Sequence, residues 1–254
     1  MIRVAAAGDL HFGADSAGSF RPQLEGLEDR ADVLLLAGDL TKLGTREEAT
    51  VLAEELAGAP VPVVAVLGNH DYQSDQPDEV RAVLVEAGVT MLEGENTVVE
   101  VDGVSLGVAG VKGFGGGFAG KSATDFGEPE MKAFVRHTKD VSERLREALG
   151  SLDTEHRIAL MHFAPVKETL FGEPPEIYGF LGSYLLAEAC DAAGADLILH
   201  GHAHRGVEKG MTPGGIHVRN VAQHVIGAAY AVYCFGDGDE LRTGQVAALQ
   251  PAAH

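Results

Sequence analysis

Apolar residues fall into two kinds of run along this chain. Short unbroken runs at 2–7 (Ile-Arg-Val-Ala-Ala-Ala), 33–37 (Val-Leu-Leu-Leu-Ala) and 62–67 (Pro-Val-Val-Ala-Val-Leu) have the length and content of strands buried on both faces. Between the last two, residues 45–57 carry helical spacing. Thr45 stands as N-cap with Glu48 three positions on, the pattern of a capping box. A helix at 77–87 precedes short strands at 89–92, 96–101 and 104–110, and Val101-Asp102-Gly103-Val104 reads as a hairpin turn. Phe134, Thr138, Val141, Leu145 and Leu149 form a helical stripe over 129–149. Strands return at 157–162 and 196–199 around a helix at 183–193, and the C-terminal third reads as strand at 215–219, 224–235 and 244–249. The β-α-β opening predicts parallel strands and the hairpins predict antiparallel additions, so the expected fold is a mixed α/β sandwich with two sheets.

Composition narrows the class. The chain has 254 residues, 45% hydrophobic and 22% charged, which excludes a disordered chain. It contains no repeat, low-complexity tract or linker, so a single domain over 1–254 is expected. No run approaches the roughly 18 apolar residues of a membrane span. The apolar N-terminal stretch is too short for a leader before it meets Asp9 and His11, which predicts a cytoplasmic protein. Cys190 and Cys234 lack metal-type spacing and read as buried free thiols. The 19 basic and 38 acidic residues give a net charge of -19. Such a surface repels nucleic acid and anionic membrane, leaving a small molecule as the expected partner, and bound cations would create a local positive spot.

Polar residues interrupt the pattern where the buried strands end. The first run ends in Gly8-Asp9-Leu10-His11, the second in Gly38-Asp39 and the third in Gly68-Asn69-His70-Asp71. The run at 157–161 ends in His162, and that at 196–199 in His200-Gly201-His202-Ala203-His204. Open α/β sheets gather ligand sites at this edge. Taken singly, each residue has a plain reading as a turn, a cap or a hydrogen-bonded core histidine. Together, five of the eleven histidines (His11, His70, His162, His202, His204) gather at strand ends beside Asp or Gly. Imidazole, carboxylate and amide donors suit Mn, Fe, Zn or Co rather than a thiolate-seeking ion or Ca. About seven ligands are too many for one tetrahedral ion, but enough for two that share a carboxylate. Two cations ~3.5–4 Å apart can clamp both oxygens of a phosphoryl transfer and lower the pKa of water between them.

The ordered string Asp9-Leu10-His11, Gly38-Asp39, Gly68-Asn69-His70-Asp71, His162 and Gly201-His202-Ala203-His204 resembles the calcineurin-like metallophosphoesterase superfamily. All five of its blocks are present and in order. The resemblance implies a four-layer α-β-β-α sandwich with two mixed β-sheets and a centre of two divalent metal ions, Mn, Fe or Zn. Carried over by motif, Asp9, His11 and His204 would bind one ion, Asn69, His162 and His202 the other, and Asp39 would bridge them. His70 would face the substrate as general acid, with Asp71 orienting it; His200 lies outside the motif. The implied reaction is hydrolysis of a phosphoester by a metal-bridging hydroxide, a phosphodiester in preference to a monoester. Within the superfamily, the compact size, the stretch Lys112 to Phe118 and that from His162 to Ser183 resemble a subgroup related to cyclic-nucleotide phosphodiesterases.

A rival from a different class is a nucleotide-binding NTPase, because Gly115 to Ser122 fits the P-loop pattern G-x-x-x-x-G-K-[ST]. A P-loop must open a helix, since its N–H groups and the helix N-terminus hold the phosphates. The following Ala-Thr-Asp-Phe-Gly-Glu-Pro leaves little room for one, and Asp39 already belongs to the metal set. The segment is therefore expected as a loop, with Phe114 and Phe118 as candidates to pack on a leaving group and Lys112 and Lys121 to reach a phosphate. A third reading, a non-catalytic metal-binding scaffold, is disfavoured by the full ligand set and His70.

Overall fold

The computed structural model describes residues 1–235 and the backbone of 242–243 and 247–248. Its first half runs β1 (Ile2–Ala7), α1 (Arg21–Leu24), β2 (Val33–Ala37), α2 (Arg46–Leu56), β3 (Val63–Val66), α3 (Pro77–Glu86), β4 (Thr90–Met91), β5 (Glu95–Val101) and β6 (Val104–Val111). There follow β7 (Gly117–Phe118), β8 (Lys121–Ser122), α4 (Pro129–Gly150), β9 (His156–Met161), α5 (Tyr178–Leu181), α6 (Tyr184–Ala193) and β10 (Leu197–His200). The chain continues through β11 (Lys209–Met211), β12 (His217–Asn220), α7 (Gln223–Ile226), β13 (Ala228–Phe235), β14 (Arg242–Thr243) and β15 (Ala247–Ala248). The expected strand at 244–249 lies outside the described residues except for β15.

One sheet has the order β14-β13-β1-β2-β3-β4, with β15 also on β13; the other has the order β11-β12-β10-β9-β6-β5. Both are mixed: β1 to β4 are parallel with β13 antiparallel, and β6, β9, β10 and β12 are parallel with β5 and β11 antiparallel. Period-two alternation sends the buried runs to two different cores. Val4, Ala6, Val33, Leu35 and Val64 face Leu106, Val108, Ile158, Leu160, Leu197 and Leu199 between the sheets. Ala5, Ala7, Leu34 and Leu36 turn outward onto Leu52, Leu56, Val80 and Leu84 of α2 and α3. Ala109, Ala159 and Ile198 meet Val141, Leu145 and Leu186 of α4 and α6. Helix, sheet, sheet and helix thus form the four expected layers.

Local rules account for the helix ends. Thr45 Oγ1 accepts from Glu48 N (3.2 Å) and Glu48 Oε2 accepts from Thr45 N (3.4 Å), the capping box expected there. Several elements differ from expectation. The expected strand at 224–235 starts late, because Val225 N and Ile226 N bond back to Ala222 O and Gly227 (φ 64°) ends the resulting turn. The hairpin β7–β8 forms inside the glycine-rich run, and β11 adds an edge strand with no apolar signature. Cys190 is buried as expected, but Cys234, on β13, is only half-buried. No described helix is long and apolar enough to cross a membrane.

Leu35 is fully buried between the sheets. Leu35→Ala is expected to cost about 2–5 kcal/mol, read from urea unfolding; a loss below about 1 kcal/mol would contradict an inter-sheet core at this position.

Candidate metal centre

The carboxyl ends of β1, β2, β3, β9 and β10 meet at one rim. Four residues there hold a left-handed backbone: Asp9 (φ 59°), His11 (φ 46°), Asp39 (φ 48°) and His202 (φ 72°). Such angles are uncommon for residues with a Cβ and cluster at functional sites. Hydrogen bonds between the strand-end loops hold them. Asp9 N donates to Gly38 O (2.9 Å) and His11 N to Asp39 O (3.0 Å). His202 N donates to Asp9 Oδ2 (2.9 Å), and His70 N to Asp39 Oδ1 (2.8 Å). Two glycines make the approach possible. A Cβ on Gly68 would strike Asp39 N and Oδ1, and one on Gly201 would strike Asp9 Oδ2.

Two clusters of ligand atoms result. Asp9, His11, Asp39 and His204 form one, Asp39, His162 and His202 the other, and within each the atoms lie within 4.8 Å of one another. Asp39 is common to both. His204 Nε2 is 2.8 Å from Asp9 Oδ1 and 3.4 Å from His11 Nε2. His162 Nε2 is 3.0 Å from Asn69 Oδ1 and 3.3 Å from Asp39 Oδ1. The structure therefore brings Asp9, His11, Asp39, Asn69, His162, His202 and His204 together, and the clusters are positioned to coordinate two divalent metal ions. The donor chemistry fits: His162 Nδ1 is held 2.9 Å from Ala37 O. A carbonyl only accepts, so Nδ1 carries the proton and Nε2 faces the cluster, as a metal-binding imidazole requires.

The electrostatics point the same way. Burial drives the Asp39 carboxyl pKa up, but the charge and hydrogen bond of His162 and the N–H of His70 outweigh it and hold the group well below the usual range. Burial also opposes a charge on His162, yet Asp39 and Asp9 raise its pKa to about 9. A buried proton on His162 Nε2 thus sits where the donors converge. Burial and the positive His162 push His202 down to about 3, leaving a neutral imidazole. The hydrogen bond to Asp9 raises His204, and burial lowers His11.

His70 sits at the rim with its side chain 42% exposed, its Nε2 3.9 Å from Asp39 Oδ2. Its orienter is not the one expected. The Asp71 carboxylate accepts from Leu40 N (3.2 Å), Thr41 N (2.8 Å), Thr41 Oγ1 (2.6 Å) and Gly68 N (2.7 Å). Those four donors turn it into the protein and away from the His70 ring. The His70 ring is held instead by the Lys42 carbonyl, 2.8 Å from Nδ1. His200 is buried, with Nε2 2.9 Å from Thr169 Oγ1, and is structural. Phe118 is buried against Ala164, Leu170, Leu181 and Ala203 rather than open to a leaving group. Gly115 to Ser122 holds the β7–β8 hairpin and no helix follows before Pro129, so no P-loop forms. The sequence pattern missed His224, whose ring stacks on that of His204 at 4.5 Å and 6°. Apart from the histidine itself, no motif marked it, because α7 stood within an expected strand.

The sequence profile of the calcineurin-like phosphoesterases matches residues 2–206. Comparison with curated proteins gives no match. Among solved structures, the phosphopantetheinyl hydrolase of Mycobacterium tuberculosis is similar at 19% identity and TM-score 0.65, over 86% of this chain and 88% of that one. A protein of Thermus thermophilus is similar at 21% identity and TM-score 0.61, over 96% of this chain and 98% of that one. A putative 5′-nucleotidase of Staphylococcus aureus is similar at 13% identity and TM-score 0.60, over 97% of this chain and 53% of that one. At these identities the likeness is one of fold.

Binding of a metal to His162 Nε2 must displace the proton that Asp39 and Asp9 hold there. Between the ordinary histidine pKa of 6.5 and about 9 the metal-free protein keeps that proton, so metal affinity is expected to rise with pH across this window. Calorimetric titration with manganese at pH 7.5 in buffers of different ionisation enthalpy should show release of about one proton or more; enthalpies independent of buffer would exclude this.

Proposed function

We propose, from the premise that this chain belongs to the calcineurin-like phosphoesterase family, that it hydrolyses a small-molecule phosphodiester. The family and the two ligand clusters make it a metallophosphoesterase. The observation that carries the reading is Asp39, shared by both clusters and hydrogen-bonded by the backbone of His70, the one imidazole of the Asn69-His70-Asp71 turn that faces solvent. Asp9, His11 and His204 would hold one cation, Asn69, His162 and His202 the second, with Asp39 between them. Two divalent cations supply Lewis acidity toward phosphoryl oxygens and a water of lowered pKa.

The remaining work falls to the chain. Lys42 O keeps a proton on His70 Nδ1 and so leaves Nε2 facing the ligand cluster, 3.9 Å from Asp39 Oδ2. When Nε2 is also protonated, the ring donates to the departing alcohol oxygen, and general acid catalysis follows. Asp71 acts at one remove, locking the strand-end loops that present Asn69 and His70. The acidic surface disfavours a nucleic-acid substrate. The resemblance of the stretch Lys112 to Phe118 to phosphoesterases related to cyclic-nucleotide phosphodiesterases favours a substrate of that type or another small diester in the cytoplasm; the solved relatives bear names from several hydrolase activities.

Two variants test this with manganese and bis(4-nitrophenyl) phosphate. Asp39→Ala is expected to lose both metal binding and nearly all turnover; activity like the wild type would refute the shared-ligand role. His70→Ala is expected to keep both metals, by metal analysis, while kcat falls about 10²–10⁴-fold. An unchanged kcat would remove the acid role and leave the metal centre standing.

A further inference from the structure

Lys112, the residue directly after β6, is used by neither ligand cluster. Its carbonyl accepts from His162 N (3.0 Å) and Phe163 N (3.1 Å), which fixes it beside the strand end that presents His162. Its side chain turns inward and the residue is only 9% exposed. Nζ lies 4.9 Å from the ring of Tyr72, 5.0 Å from that of Phe114 and 5.2 Å from that of Phe163. It forms no hydrogen bond or ion pair with any described side chain; Glu93 and Asp39 act on it only through their longer-range field. The Glu93 carboxylate is engaged elsewhere, by Lys112 N (2.9 Å) and Arg144 (3.4 Å).

The cage adjoins the ligand clusters through Phe163 and Tyr72. The Phe163 ring lies 4.4 Å from the ring of His202. Tyr72 closes the turn that starts at His70, and its hydroxyl has no hydrogen-bond partner among the described residues. Phe114 is wedged against Phe134 (5.0 Å) and His137 (4.6 Å), and the glycines after it are tied to the segment at 179–182 by Gly116 N to Gly179 O (2.8 Å) and Gly117 N to Gly182 O (2.9 Å). The three aromatic faces attract the ammonium but take none of its hydrogen bonds. What the cage leaves is a set of N–H donors with no protein partner, and charge-assisted hydrogen bonds from an ammonium to an oxyanion are among the strong ones.

We propose that Lys112 and Tyr72 form an oxyanion subsite beside the metal centre, which takes a negative charge of the substrate beyond the single charge of a simple phosphodiester. This rests on the phosphoesterase reading and deepens it. Two sources share the chemistry: the second charge of a phosphomonoester, or a carboxylate or phosphate on the leaving alcohol. In either case the subsite favours a more anionic substrate than the metal centre alone would select.

The test uses the manganese-loaded protein and three substrates: bis(4-nitrophenyl) phosphate, 4-nitrophenyl phosphate, and a bis-aryl diester with a carboxylate on the leaving ring. Lys112→Met keeps the volume and removes the charge. It is expected to lower kcat/KM for one of the two doubly charged substrates about tenfold more than for the simple diester, through KM, and the substrate affected identifies the source. Calorimetric titration with inorganic phosphate reads the subsite without turnover: Lys112→Met should weaken binding about tenfold, Lys112→Arg should restore most of it, and Tyr72→Phe should produce a smaller loss of the same sign. Equal losses on all three substrates, or no change in phosphate affinity, would overturn the subsite. If Lys112→Met does not fold, by circular dichroism, the Tyr72→Phe titration decides: unchanged phosphate affinity overturns the proposal. A wild-type protein that binds metal and phosphate but cleaves none of the substrates would instead overturn the phosphoesterase reading.

Discussion

The contact between Asp39 and His162 is the constraint on which the rest of this structure depends. Asp39 follows β2 and His162 follows β9, strands of different sheets, and their side chains are almost fully buried. A buried carboxylate is tolerable only beside positive charge or several donors. Here the chain offers the imidazolium of His162 and the N–H of His70. The two sheets must close to bring these together, and Gly38 shows how tightly they do: a Cβ there would lie 2.7 Å from the His162 ring. The sandwich is the device that turns two strand ends into one cation-demanding site.

The same contact explains why the rim is strained. Asp9, Asp39, His11 and His202 each adopt positive φ so that side chains from separate strands point inward. Turns that cost energy persist only where the surroundings over-determine them. Backbone bonds between Asp9 and Gly38, His11 and Asp39, and His202 and Asp9 supply that support. The site is thus pre-arranged, and the proton that Asp39 and Asp9 favour on His162 lies where the donors converge. Metal binding exchanges that proton for a stronger charge and stabilises the closed sandwich.

Much of this was legible in the residue pattern, for identifiable reasons. Strands buried on both faces leave unbroken apolar runs, so β1, β2 and β3 stood out, and Thr45 with Glu48 marked the start of α2. Their polar ends were visible as interruptions, which is why all seven expected ligands meet at one rim. Edge elements were not legible: β11 pairs through its backbone alone, and the apolar Val225 and Ile226 of α7 resemble strand until Gly227 turns the chain. His224 was hidden for that reason. The lysine cage was hidden for another. Tyr72, Phe114 and Phe163 are distant in sequence, and only the folded sheet edge places their rings around one ammonium.

Asp71 shows why adjacency in sequence is a poor guide to partnership in such a turn. A carboxylate beside a histidine invites the reading that one orients the other. In the short helical turn His70–Tyr72, however, successive side chains diverge, and Asp71 points into the protein. There it gathers donors from the loops after β2 and β3 at once, through Leu40, Thr41 and Gly68. Burial raises its pKa in spite of those bonds, so the lock is made at a real desolvation cost. What the lock secures is the position of the Asn69-His70 turn against Asp39, and with it the distance between the ligand cluster and the one imidazole of that turn that faces solvent. The orienting contact for that imidazole is then free to be a main-chain carbonyl, Lys42 O, which holds the same tautomer as a carboxylate would without adding a third negative charge to a rim that already carries Asp9 and Asp39.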